Sequence, residues 1–124
     1  MRTSAQRTGD AAEDRVAARL AAAGWTVLGV RVRVGRAEID VIAVEPGPPR
    51  MLVVVEVRWR SRRDYGLAEE TLDGRKRSRL HGAGYALREA GQLPDGTPVP
   101  RLPLRFDLVV VEPGDRCRHH RYGA

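Results

Sequence analysis

Two short stretches carry carboxylates inside apolar, β-branched runs. The first is Arg36-Ala37-Glu38-Ile39-Asp40-Val41-Ile42, and the second is Val53-Val54-Val55-Glu56-Val57-Arg58. A charge in the middle of a strand needs a reason, because an unpaired buried carboxylate is costly. Residues two apart on a strand share a face, so Glu38 and Asp40 are expected to point together, as are Val54, Glu56 and Arg58. If Asp40 and Glu56 meet on one face, their oxygens can converge on a hard divalent cation. Mg²⁺ (or Mn²⁺) takes oxygen ligands and commonly uses one or two carboxylates, completed by water and substrate phosphate. Such a metal lowers the pKa of bound water and neutralises charge on an attacked phosphate. The chemistry suggested is hydrolysis of a phosphodiester.

Two more ionisable residues fall on expected core faces. Glu13 lies three and four positions before Val16 and Ala17 on an amphipathic helix, and supplies a third inward carboxylate. Lys76 recurs with Leu72, Leu80, Ala83 and Leu87 on the apolar face of a second helix, and supplies an inward cation. Each has a plainer reading. Glu13 suits the positive end of a helix dipole. Lys76 can lay its stem over apolar surface with the ammonium in water. Glu38 and Asp40 suit the wet face of an edge strand, and Glu56 with Arg58 a same-face ion pair. Their combination favours a site.

Residues 1–8 are polar and basic and are expected to be a loose tail. Asp10 can cap a helix running to about Ala23, with Gly24 ending it. Trp25 to Arg33, Ala37 to Val44 and Met51 to Arg60 read as three strands joined by turns at Gly35 and at Glu45-Pro46-Gly47-Pro48-Pro49, hence an antiparallel meander. A charged loop, Ser61 to Tyr65, precedes a helical region ending near Ala90, in which Thr71 or Asp73 could cap a fresh helix. Gly82 and Gly84 weaken that helix but would permit close approach to the sheet. Gly91 to Pro103 is a proline-rich loop, and Leu104 to Glu112 a fourth strand, expected to lie parallel to the third. Residues 113–124 read as a basic tail. The expectation is one domain over residues 9–112, an α/β sandwich of order α-β-β-β-α-β on a mixed sheet.

Composition agrees with a globular chain: 124 residues, 42% hydrophobic and 31% charged, enough to bury a core. The formal net charge is +6, and Lys76 is the one lysine among 22 basic residues. A basic small domain suits polyanions, nucleic acid or an anionic membrane surface, although a solvated basic surface with no partner is the plainer alternative. Cys117 is the only cysteine, which excludes a disulfide framework within the chain. Cys117, His119 and His120 do not make a closed metal site in this chain. The start of the chain lacks an apolar signal core, and no apolar run has the roughly 20 residues of a spanning helix, so a cytoplasmic protein is expected. Trp25, Trp59 and Tyr85 read as core or sheet-edge aromatics; at 5% aromatic residues there is no stacking surface to argue from.

The pattern Gly9-x-x-x-Glu13 with Ala17, Leu20 and Gly24, then Glu38-Ile39-Asp40-Val41-Ile42-Ala43, Val55-Glu56-Val57-Arg58-x-Arg60, Lys76, and Arg105-Phe106-Asp107 resembles the YraN-like family of uncharacterised bacterial proteins. The resemblance covers about residues 9 to 112. That family looks like a small branch of the PD-(D/E)xK nuclease superfamily, similar in its core to archaeal Holliday-junction resolvases, and so implies a restriction-endonuclease-like fold. It implies that Asp40 and Glu56 are metal ligands, that Glu13 supports the metal directly or through water, and that Lys76 matches a family lysine on the second helix. Ala37 replaces the glycine usual before Glu38. Arg58 replaces the motif lysine that orients the attacking water and stabilises charge on phosphorus. Arginine keeps the charge and binds phosphate bidentately, but cannot act as a base. An electrostatic role would let Arg58 substitute; a proton-shuttling role would need Lys76 from the helix. The electrostatic role is favoured, since two-carboxylate metal sites generate hydroxide without a lysine base.

The leading expectation is therefore a Mg²⁺- or Mn²⁺-dependent endonuclease acting on structured or branched DNA. Its phosphate contacts are expected from Arg31, Arg33, Arg60, Arg62 and Arg63. The alternatives are a nucleic-acid-binding module that keeps the fold without activity, and a partner subunit in DNA processing. A homodimer is implied only by analogy with resolvases.

Overall fold

The computed structural model describes residues 3–60 and 74–122. Among these the elements run α1 (Ser4–Ala22), β1 (Thr26–Val34), β2 (Ala37–Glu45), β3 (Met51–Trp59), α2 (Gly74–Ala90), β4 (Leu104–Glu112) and β5 (Arg116–Arg121). The expected loop at 61–65, the caps at Thr71 or Asp73, and Leu72, Arg62 and Arg63 lie outside the described residues.

The five strands form one sheet in chain order, β1-β2-β3-β4-β5. The first three pair antiparallel, and β4 lies parallel to β3 as expected, from Leu52↔Leu104 to Trp59↔Val111. A strand–helix–strand crossover through α2 makes that parallel pairing possible. The central strands read as near-continuous Val/Ile/Leu because both faces are covered. On one face Ala12, Val16 and Leu20 of α1 pack on Val41, Ala43, Val53, Val55, Val109 and Val111. On the other, Leu80, Ala83 and Leu87 of α2 pack on Ile42, Val44, Leu52, Val54, Leu104 and Phe106, with Leu93 and Val99 of the proline-rich loop sealing the end. A Cβ on Gly84 would stand 3.0 Å from Val54 and 3.2 Å from Leu104, so glycine here lets α2 sit close on the sheet. Gly82 is exposed with nothing near it and has no such role.

Two stretches expected to be tails are ordered. The first helix starts at Ser4, not after Asp10. The Thr3 hydroxyl accepts from the Gln6 N–H at 3.1 Å while the Gln6 side chain accepts from the Thr3 N–H at 2.7 Å, a reciprocal cap that outweighs the polar composition. Near the other end, Arg116–Arg121 pairs antiparallel with β4 as an edge strand. Its sequence, RCRHHR, has no β-branched residue. The pairing comes from β4 and from ion pairs described below, not from intrinsic strand propensity.

Candidate active site

The β2–β3 ladder runs from Glu45↔Met51 to Val41↔Val55. Beyond it the two strands part, and Asp40 uses its side chain instead: Oδ2 accepts the Val57 N–H at 2.8 Å. Side-chain alternation slips at the same place. Ile39 and Ile42, three apart, share the cluster under α2, while Val41 belongs to the cluster under α1. On the neighbouring strand Arg31, between the Val30↔Val41 and Val32↔Ile39 pairs, takes a left-handed backbone with φ 52°. The β1–β2 register is the same on both sides of Arg31, and the shift in this ladder falls between Val27 and Gly29. Held by the Val57 N–H, the Asp40 carboxyl lies beside Glu56.

Glu56 is 4% exposed, one of the two buried charged residues among those described. Its Oε1 meets the Lys76 ammonium at 2.5 Å and the Arg58 Nε at 3.7 Å. The first is a tight charge-assisted contact; the second is too long for a hydrogen bond. With both acids ionised no protein donor reaches the buried Glu56 Oε2, and Arg58 Nε is likewise buried without a hydrogen-bond partner. Burial pushes the Asp40 carboxyl up to about 9, aided by the negative charge of Glu56 and a hydrogen bond between the two carboxyl groups; the Val57 N–H opposes the shift, and the charge of Glu13 adds to it. Burial and a neighbouring carboxylate both favour the neutral form of Asp40. A proton between them at rest, or a cation in its place, satisfies both.

That requirement tests whether the residues fit a divalent metal. A buried carboxylate pair with one orphaned oxygen is a hard-oxygen donor set, and it fits. Among the described residues, no three His, Cys, Asp or Glu side chains gather closely enough to hold an ion by themselves. A cation here would be completed by water and substrate oxygen, as Mg²⁺ commonly is. Glu13 reaches Asp40 through its charge but is engaged elsewhere: its Oε1 accepts from Arg31 Nη1 at 3.0 Å, and Arg31 Nη2 meets Asp14 at 3.1 Å.

The remaining predicted residues fall in different places. Lys76, Glu38 and Asp40 line one cleft, with Glu38 exposed at its rim. Arg31 is held by Glu13 and Asp14, which leaves little of it for phosphate. Arg33 is exposed on edge strand β1, and Arg60 is half-buried, its N–H donating to the Val111 carbonyl. Sequence reasoning missed a second ionic cluster on the α1 face. Asp107, whose side chain is fully buried, accepts from Arg105 Nε at 2.8 Å and Nη2 at 3.0 Å and lies 2.7 Å from His119 Nε2. Burial raises the Asp107 carboxyl, but the bonds to His119 and Arg105 outweigh it and hold it below the usual range. Arg105 and Arg121 also bind Glu45, so the cluster ties β2, β4 and β5 together. Arg105 and Asp107, two apart, were the available signal; the partner strand was not.

The sequence model of an uncharacterised protein family, UPF0102, matches residues 12–111. Similar chains include a UPF0102 protein of Roseiflexus castenholzii, 38% identical over 112 residues, which cover 90% of this chain and 84% of that one. A UPF0102 protein of Symbiobacterium thermophilum is 38% identical over 118 residues, 91% of this chain and 92% of that one. One of Deinococcus radiodurans is 35% identical over 106 residues, 84% of this chain and 79% of that one.

Proposed function

We infer that this chain, which belongs to the uncharacterised protein family UPF0102, is a metal-dependent endonuclease that hydrolyses phosphodiester bonds in structured or branched DNA. One observation carries the reading. Asp40 and Glu56 leave a regular ladder to share a buried site with an orphaned carboxylate oxygen, and Lys76 brings an ammonium to it. Asp40 and Glu56 would hold Mg²⁺ or Mn²⁺, which when bound supplies a Lewis acid and an activated water. Lys76 takes the place of the motif lysine that position 58 lacks: it comes from α2 to the same carboxylate at 2.5 Å. Its ammonium and the Arg58 guanidinium offset charge that gathers on the attacked phosphate. The Glu13–Arg31 pair ties α1 to β1.

A second reading is a nucleic-acid-binding module without activity. It is favoured by the same Lys76 contact, since an ammonium already neutralises Glu56. Calorimetry with Mn²⁺ separates the two. The first reading expects a site on the wild-type chain that Asp40→Asn removes; no binding heat, with or without DNA, would favour the second.

A further inference from the structure

A cleft of about 370 Å³ opens over Asp40, near the small end of the roughly 300–1,000 Å³ usual for ligand sites. Asp40, Glu38 and Lys76 line it, together with Arg36 from the β1–β2 turn and Arg79 from α2. These two arginines come from separate elements, the β1–β2 turn and α2. Both are exposed. Among the described residues neither has an ion pair or hydrogen bond, whereas Arg31, Arg58 and Lys76 are each engaged by an acid. Arg79 also lines a broader open groove along the first turns of α2, with Arg75 and Ser78.

A site floored by carboxylates repels a polyanion unless cations stand on its walls. Guanidinium groups bind phosphate oxygens bidentately and are weakly hydrated, so they hold a backbone without reading its sequence. We propose that Arg36 and Arg79 form a two-armed phosphate clamp that seats the nucleic-acid backbone in this cleft, beside Asp40. The clamp rests on the nuclease reading for its place in a reaction, but not for its ability to bind. It assigns backbone contacts to a turn and a helix face, where neither arginine had been expected to act. The groove past Arg75 and Ser78 gives the strand its path away from the cleft.

The test is fluorescence anisotropy with a labelled single-stranded oligonucleotide in EDTA across a salt series. Each phosphate contact contributes about 0.7 to the slope of log K against log salt on single strands. Arg36→Ala and Arg79→Ala should each lower the slope by about 0.7, and the pair together by about 1.4. Arg79→Lys should keep it. Arg50→Ala, in the β2–β3 turn at the far end of β2, should leave it unchanged. A double variant whose slope matches that of Arg50→Ala overturns the clamp. Calorimetry with Mn²⁺ alone, on wild type and the double variant, keeps the two inferences apart. If wild type takes up no Mn²⁺ while the slope still falls, the clamp stands and the metal-site reading falls. Unchanged Mn²⁺ uptake in the double variant with an unchanged slope overturns the clamp alone.

Discussion

Asp40→Asn is predicted to stabilise the metal-free protein. The Asp40 carboxyl, ordinarily near 3.8, is pushed up to about 9. Between those values the folded chain holds a proton that the unfolded chain releases, so stability falls as pH rises. The loss is absent below about pH 4 and complete above about pH 9. At 1.36 kcal/mol per unit, the difference from 3.8 amounts to about 4 kcal/mol at pH 7 and about 7 kcal/mol at pH 9, as upper limits. Asparagine reproduces the protonated acid: its oxygen accepts the Val57 N–H and its amide donates to Glu56. It carries no proton to lose. Urea unfolding in EDTA, from pH 6 to 9, reads the effect directly. The variant should be a few kcal/mol more stable at pH 7, with the gap widening by up to about 1.4 kcal/mol per pH unit. Parallel pH curves for the two proteins, or a less stable variant at pH 8, would refute the shared-proton account.

Other outcomes follow from the same geometry. Mn²⁺ must displace the proton on Asp40, so its affinity should rise about tenfold per pH unit between 6 and 8 with one proton released, read by calorimetry in buffers of different ionisation enthalpy; a flat profile contradicts this. Lys76→Met should reduce DNA cleavage about 10²–10³-fold, while Arg58→Lys should change it less than about tenfold because Lys76 already supplies the ammonium; a larger gain from Arg58→Lys would return the motif role to position 58. Gly84→Ala places a Cβ 3.0 Å from Val54 and 3.3 Å from Phe106, and should cost about 1 kcal/mol in urea unfolding despite alanine's better helix propensity. Asp107→Ala leaves Arg105 to Glu45 alone and His119 without its carboxylate, and should cost about 2–3 kcal/mol, leaving Mn²⁺ uptake by the folded protein intact.

The sheet was legible because β2, β3 and β4 are buried on both faces, which forces long apolar runs with clear turns between them. The acids inside those runs stood out for the same reason. What the sequence did not show depends on partners. Thr3 and Gln6 cap each other, so a polar start became helix. RCRHHR becomes a strand only against β4, where His119 and Arg121 find Asp107 and Glu45. The slip at Asp40 has no sequence signal, since Ile39, Val41 and Ile42 fit either face. Strict alternation put Asp40 and Glu56 on one face, and in the structure the two carboxyl groups interact. The contact is made by a broken ladder and a Val57 N–H, not by regular pairing. The basic residues were the least legible. Arg31 looked free for phosphate and is held by Glu13 and Asp14, while Arg36 and Arg79 drew no notice and stand beside the carboxylates.

Asp40 and Glu56 are proposed to hold the cation through which DNA is cut. The most direct measurement is cleavage of single-stranded, flapped and four-way DNA with Mg²⁺ and with Mn²⁺, comparing wild type with Asp40→Asn at matched binding. Wild type should give metal-dependent products, strongest on a branched substrate, and the variant none although it still binds. Equal cleavage by both proteins, or binding by wild type with no cleavage on any substrate, would contradict it.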